Sequence, residues 1–229
     1  MQTPAFYDQV RRLTVYDPLA EFLGAAENGG IEYAYLDAVK LAGHSCPTVA
    51  AAYWMTLKAL THLYPDSLPE RGGIRVEFRQ DQLSGVTGVI ANVVALLTGA
   101  THDTGFKGLA GRFDRRQLLY FSADVVEEIR YTRFDTGQAV EVSAQLQSVP
   151  FAPQTIELMQ KCLNGSASPQ ETAEFRECWQ ARVRAVLLEH GDDPQVFVLR
   201  PVGQSSEAAR GLPNESASAG LPCSPSAAR

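Results

Sequence analysis

Apolar residues recur at Val49, Tyr53, Leu57, Leu60 and Tyr64, three or four positions apart. That is the stripe of a helix with a buried face. It predicts a helix that opens just after Cys46 and stops at Pro65-Asp66. In "GGIRVEF" (72–78) the pattern alternates instead, with Ile74, Val76 and Phe78 on one side of a strand. "GVTGVIANVVALLTG" (85–99) is nearly all apolar. Its length and Ala/Leu content favour a buried helix, its valines keep a strand open, and Gly99 is placed to end the element. "QLLYF" (117–121) reads as a strand. "EEIRYTRFDTGQAVEVSAQL" (127–146) reads as a hairpin that turns at Asp135-Thr136-Gly137. Residues 154–164 and 169–189 read as two helices. The second carries Phe175, Trp179, Val183, Val186 and Leu187 as a stripe that would pack on the core or on a second subunit.

The N-terminal part is less regular. Residues 5–28 look helical, with Asp17 as a cap ahead of Pro18. Asn28-Gly29-Gly30 then breaks the chain. Ile31, Tyr33 and Tyr35 alternate as in a short strand, Asp37 would start a short helix, and Gly43 would end it. Pro150 and Pro153 mark a boundary. The expected organisation is an α+β fold: helices packed on an antiparallel sheet over residues 1–150, a helical extension over 151–200, and a tail over 201–229. The tail is rich in Ser, Ala, Pro, Gly and Glu, and too poor in apolar residues to offset the entropy of ordering, so disorder is expected there.

Composition narrows the class. The 229 residues are 45% hydrophobic and 20% charged, an ordinary globular balance. A net charge of −6 speaks against a nucleic-acid platform. No apolar run approaches a membrane span, and the opening "MQTPAFYDQVRR" has no apolar signal region. A cytoplasmic protein is expected, with Cys46, Cys162, Cys178 and Cys223 reduced. No C-x-x-C pair occurs, so neither a zinc ribbon nor a thioredoxin-type motif is indicated.

The candidate chemistry lies in "LAGHSCPTVAAA" (41–52). Pro47 pushes Cys46 out of the helical region and itself suits the first helical position. Cys46 therefore falls at the N-cap, with free backbone N–H groups near its sulfur. His44, two residues back in an extended segment, points to the same side. Imidazole and thiolate together are good ligands for zinc or another divalent transition metal, and equally a nucleophile with its base. A buried structural cysteine beside a hydrogen-bonded histidine explains the pair as well. The connection "GATHDTGFKGLAGRFDRR" (99–116) offers His102 as a third ligand, and Gly105 and Lys107 as a loop that could close on a cofactor. Arg112, Arg115 and Arg116 could draw an anionic group or be ordinary solvated charges. Tyr33, Tyr35, Tyr53 and Trp54 could line a flat cofactor, although aromatic residues at helical spacing more often form core. Asp37 could accept a hydrogen bond from a metal-binding histidine and so orient it, or could cap a helix. Glu77 is a looser candidate on the polar face of its strand.

"GHSCPTVAAAYWMTLKAL", followed some way on by "NVVALLTGAT" and "GFKGL", resembles the FmdE family, proteins similar to one of the subunits of formylmethanofuran dehydrogenase. The resemblance covers about residues 30–145. It implies an α+β core, often dimeric, and a pocket in which the His-x-Cys pair, here His44 and Cys46, holds a metal such as zinc. The chain departs from the pattern in several places. Val89 and Asn92 stand where members carry cysteine and aspartate, and Ala100 replaces the cysteine of a Thr-Gly-Cys-Thr segment. The C-terminal zinc ribbon of many members has no counterpart. These departures imply a His44/Cys46 site with His102 as replacement ligand.

Three functional readings follow. One is a metal-binding protein acting on or holding a small molecule. Another is a metal-free thiol enzyme with Cys46 as nucleophile or redox centre and His44 as its proton partner. The last is a non-catalytic accessory subunit that binds a small molecule. Each is compatible with a homodimer, and none calls for a nucleic acid or a membrane.

Overall fold

The structure is a computed structural model that describes residues 2–203. The expected disordered tail, apart from its first three residues, and Cys223 lie outside the described residues. The described residues form two sheets and six α-helices. A small antiparallel sheet pairs β1 (Leu13–Tyr16) with β2 (Gly30–Tyr33), and a short helix α1 (Pro18–Phe22) lies between them in sequence. Next come α2 (Tyr35–Ala42), α3 (Pro47–Leu63), β3 (Ile74–Phe78) and α4 (Thr87–Thr98). After a long loop follow β4 (Leu119–Tyr120), β5 (Ile129–Arg133) and β6 (Ala139–Ala144). The helices α5 (Thr155–Leu163) and α6 (Pro169–Arg184) and the strand β7 (Phe197–Val202) complete the fold. The main sheet runs β4-β3-β5-β6-β7.

Helix α3 is the centre of the molecule. Every residue from Val49 to Leu57 is buried, so the helix is enclosed on all sides rather than on one stripe. Ala50, Ala51, Ala52 and Ala59 leave room for the close approach of its neighbours. Ile74, Val76, Phe78, Ile129, Tyr131, Val140 and Val142 supply the apolar face of the sheet. Each fully buried large side chain there contributes about 1.5–3 kcal/mol. The Trp54 indole of α3 donates to the Gly191 carbonyl, which ties the segment after α6 to the core.

Four expectations change. Residues 5–28 are not one helix: a 3-10 turn (Ala5–Gln9), β1, α1 and a second 3-10 turn (Glu27–Gly29) replace it. Leu13 and Val15 are buried on alternate positions and pair in register with Tyr33 and Ile31, and Pro18 keeps Asp17 extended. The sheet is mixed, because β4 runs parallel to β3 across the long loop. Helix α2 starts at Tyr35, and Asp37 caps it from inside by accepting from the Ala34 N–H at 2.9 Å. Finally, residues 197–202, at the end of the expected helical extension, form a strand along the full length of β6. The stripe on α6 packs on the core: Val183, Val186 and Leu187 are buried, the last two in a π-helical turn (Ala185–Glu189) that continues α6. No helix among the described residues is long and apolar enough to cross a membrane.

Candidate functional site

The turn between α2 and α3 is built from local rules. Gly43 sits at φ 74°, the left-handed position that ends α2. Cys46 is extended at φ −146° and caps α3, its Sγ accepting from the Val49 N–H at 3.5 Å, with Pro47 at the first helical position. The side chain is buried, at 9% exposure. His44 is exposed, and its Nδ1 lies 2.9 Å from the Ala42 carbonyl oxygen. A carbonyl accepts only, so Nδ1 carries the proton and Nε2 is the ring nitrogen left to meet a ligand.

Helix α6 roofs this turn. The Trp179 indole N–H donates to the Ser45 carbonyl oxygen at 3.0 Å, and the Gln180 amide donates to the same oxygen at 3.4 Å. Underneath, the hydroxyls of Tyr35 and Ser45 are 2.9 Å apart. Tyr7 donates to Gln180 Oε1 at 3.3 Å and meets Tyr35 edge-on. Burial raises both phenols above their ordinary value, so they are neutral hydroxyls here. Between the N-terminal segment, the end of α2, the turn and α6 lies an open cleft of about 440 Å³. Tyr7, Val39, Phe175 and Trp179 give it an apolar lining, His44, Ser45 and Gln180 a polar edge, and Arg176 its one formal charge.

The expected ligands lie in two places, His44 and Cys46 at the turn before α3 and His102 in the loop after α4. His44 lines the cleft and Cys46 does not. His102 lies in the loop after α4, half-buried, with its ring edge on Phe121 and its Nδ1 3.2 Å from Asp103. Gly105 sits at φ 141°, where a side chain would strike Thr101, and Lys107 is exposed; neither lines the cleft. A structural zinc site takes four protein ligands and a catalytic one three. Among the described residues no group of three or more His, Cys, Asp or Glu is placed to share an ion. The donors among the described residues therefore do not by themselves complete a zinc site.

The remaining candidates have structural roles. Tyr35, Tyr53 and Trp54 are core, and the Tyr53 hydroxyl donates to the Arg11 and Tyr33 carbonyls. Glu77 pairs with Arg75 at 2.9 Å. Arg116 is exposed and pairs with Asp114 at 2.7 Å. Arg115 is not a solvated charge: it is buried and donates to Asp17 at 2.8 Å, and Arg71 donates to the other Asp17 oxygen at 2.6 Å. Sequence reasoning missed Tyr7, Ser45, Arg176 and Gln180 as cleft residues. The only available signal was the apolar stripe of α6, which carries Phe175 and Trp179 but does not say what they cover.

An α+β protein whose histidine and cysteine flank the capped start of a central helix is thereby defined. A sequence model described as "FmdE, Molybdenum formylmethanofuran dehydrogenase operon" matches residues 41–192, more than half of the chain and the whole span from the turn through α6. The chain belongs to the FmdE family. No curated protein matches it.

Proposed function

We propose that this protein is a cytosolic accessory protein of the FmdE type that binds a small, flat, mostly apolar molecule in the cleft beside His44. The observation that carries the reading is the commitment of His44 Nδ1 to Ala42, which leaves Nε2 as a hydrogen-bonding edge on an aromatic-lined cleft. Phe175 and Trp179 offer ring faces, and Gln180 and Ser45 offer polar contacts beside His44. The family description ties such proteins to the operon of a molybdenum formylmethanofuran dehydrogenase, which supports a role beside an enzyme. Cys46, buried and engaged by Val49, is a structural cap in this reading rather than a nucleophile.

Benzamide, a neutral aromatic amide, is a suitable probe. Titrated into labelled protein, it is expected to move the His44 ring and Trp179 indole NMR signals along one saturable curve. Trp179→Ala should abolish that curve. Unmoved signals up to the solubility of the probe would contradict the reading.

The exposed position of His44 beside Cys46 favours a second reading: a divalent metal such as zinc held by these two side chains, with its open positions filled by a second copy of the chain or by a small molecule. It predicts that zinc binds at one ion or fewer per chain, raises the dimer fraction, and is lost in both His44→Ala and Cys46→Ala.

A further inference from the structure

A second cavity, of about 350 Å³, lies where the start of α1 meets the loop before β3 and the loop before β4. It shares no lining residue with the cleft at His44. Arg71, Arg112 and Arg115 line it, together with Glu70, Gly72 and Phe113. Arg71 and Arg115 share one carboxylate, that of Asp17, so this largely buried trio carries one net positive charge, which Glu70 in the same wall offsets only in part. Two largely buried cations that share one carboxylate favour a further anion nearby. Two guanidinium nitrogens of the trio, Arg71 Nε and Arg115 Nη1, are buried and lack an acceptor. Arg115 Nη1 packs against Gly72, part of the cavity wall, so closely that a Cβ there would collide with it.

The loop is held in a costly shape on the same side. Phe113 adopts φ 64°, a left-handed conformation that a bulky residue rarely takes. Its ring lies 5.3 Å from that of Phe22, and the exposed Arg112 guanidinium sits 4.6 Å above the Phe113 ring. That stacking sets Arg112 at the rim as a third, solvent-accessible cation. Two carboxylates work against an anion. Asp114 and Glu70 both line the cavity, and both oxygens of Asp114 are taken by Arg116. Four guanidinium groups (Arg71, Arg112, Arg115, Arg116) thus stand against three carboxylates (Asp17, Glu70, Asp114).

We infer that this cavity is a binding site for the oxyanion end of a small molecule, a phosphoryl or carboxylate group. Guanidinium forks match both geometries. Arg112 makes the first contact, the Arg71–Asp17–Arg115 trio supplies the fixed positive field, and Glu70 limits the affinity. The room beyond a bare oxyanion would take the rest of the molecule against Phe113.

The test is thermal unfolding of the full chain at constant ionic strength, with chloride exchanged stepwise for inorganic phosphate or for acetate. A saturable rise in Tm is expected with at least one of them. Phosphate alone would assign phosphoryl groups, and acetate as well would extend the site to carboxylates. Arg112 is exposed, so Arg112→Ala should fold normally and bind roughly tenfold more weakly, the size of one charge-assisted hydrogen bond. Glu70→Gln should bind more tightly than the parent. No saturable response to either anion, or a response that Arg112→Ala leaves unchanged, overturns the proposal. Neither result bears on the His44 cleft, because benzamide carries no charge.

Discussion

The turn at 43–46 and the loop at 99–118 both carry a histidine and both follow a helix that ends in a left-handed glycine. They use their polar residues in opposite ways. In the turn, three of the four residues are settled within a few positions: Gly43 ends α2, Cys46 caps α3, and His44 bonds to Ala42. What remains open is an edge that α6 roofs. In the loop, Arg115 reaches back to Asp17 across most of the N-terminal half, and Arg71 joins it there. The turn is shaped mainly by its neighbours in sequence, with α6 bonded to Ser45 above it, and offers a ligand one nitrogen. The loop combines its own backbone hydrogen bonds with the distant Arg115–Asp17 pair and offers a ligand surplus charge.

The largest expected effect lies in the loop. Asp17→Asn removes both ion pairs, leaves the buried Arg115 with Glu70 as its nearby counter-charge, and should cost about 3–5 kcal/mol in urea unfolding. A loss under about 1 kcal/mol would mean that the trio is not a structural centre. Burial pushes the Asp17 carboxyl up, but the Ala20 N–H and the Arg115 and Arg71 charges outweigh it and hold it below its ordinary value. A carboxyl depressed in the folded state stabilises above its unfolded pKa, about 4, and that contribution is lost as pH falls through the lower folded value. Stability should therefore decline in acid below about pH 4, with a shallower decline in Asp17→Asn.

The turn should respond less. Trp179→Ala removes a half-buried ring and its bond to Ser45, at a cost of about 2 kcal/mol. Cys46→Ala removes a cap acceptor and a little core volume, about 1 kcal/mol, and Cys46→Ser should recover part of it. Full recovery of stability by serine, joined to loss of function, would return Cys46 to a chemical role. His44→Ala should change stability by less than about 0.5 kcal/mol while weakening benzamide binding. A larger loss would place His44 among the structural residues and sharpen the contrast with Cys46.

The same contrast explains what could be read from the chain. The cap at Cys46, the end at Gly43, the helix after Pro47 and the hairpin turning at Gly137 rest on neighbours in sequence, and each is where the pattern put it. The strand β1 could not be separated from a helix, because its pairing with β2 is a tertiary fact that overrides local propensity. The strand β7 was hidden for the same reason, since "FVLRPV" has weak alternation and is held by β6. In the site, His44 was legible from its motif. The roof over it was not, because Trp179 reaches Ser45 from a helix 134 positions further along. His102, paired with Asp103 against Phe121, shows how spacing alone suggests a ligand that the fold then places elsewhere.

The most direct test of a ligand cleft at His44 is calorimetry on one preparation of the protein, titrated first with benzamide and then, in a fresh cell, with zinc chloride. Saturable benzamide binding near one per chain is expected, unaffected by chelator, absent in Trp179→Ala and retained in Cys46→Ala. Heat from zinc alone, lost in Cys46→Ala and His44→Ala but kept in Trp179→Ala, would contradict the cleft reading and make the turn a metal centre.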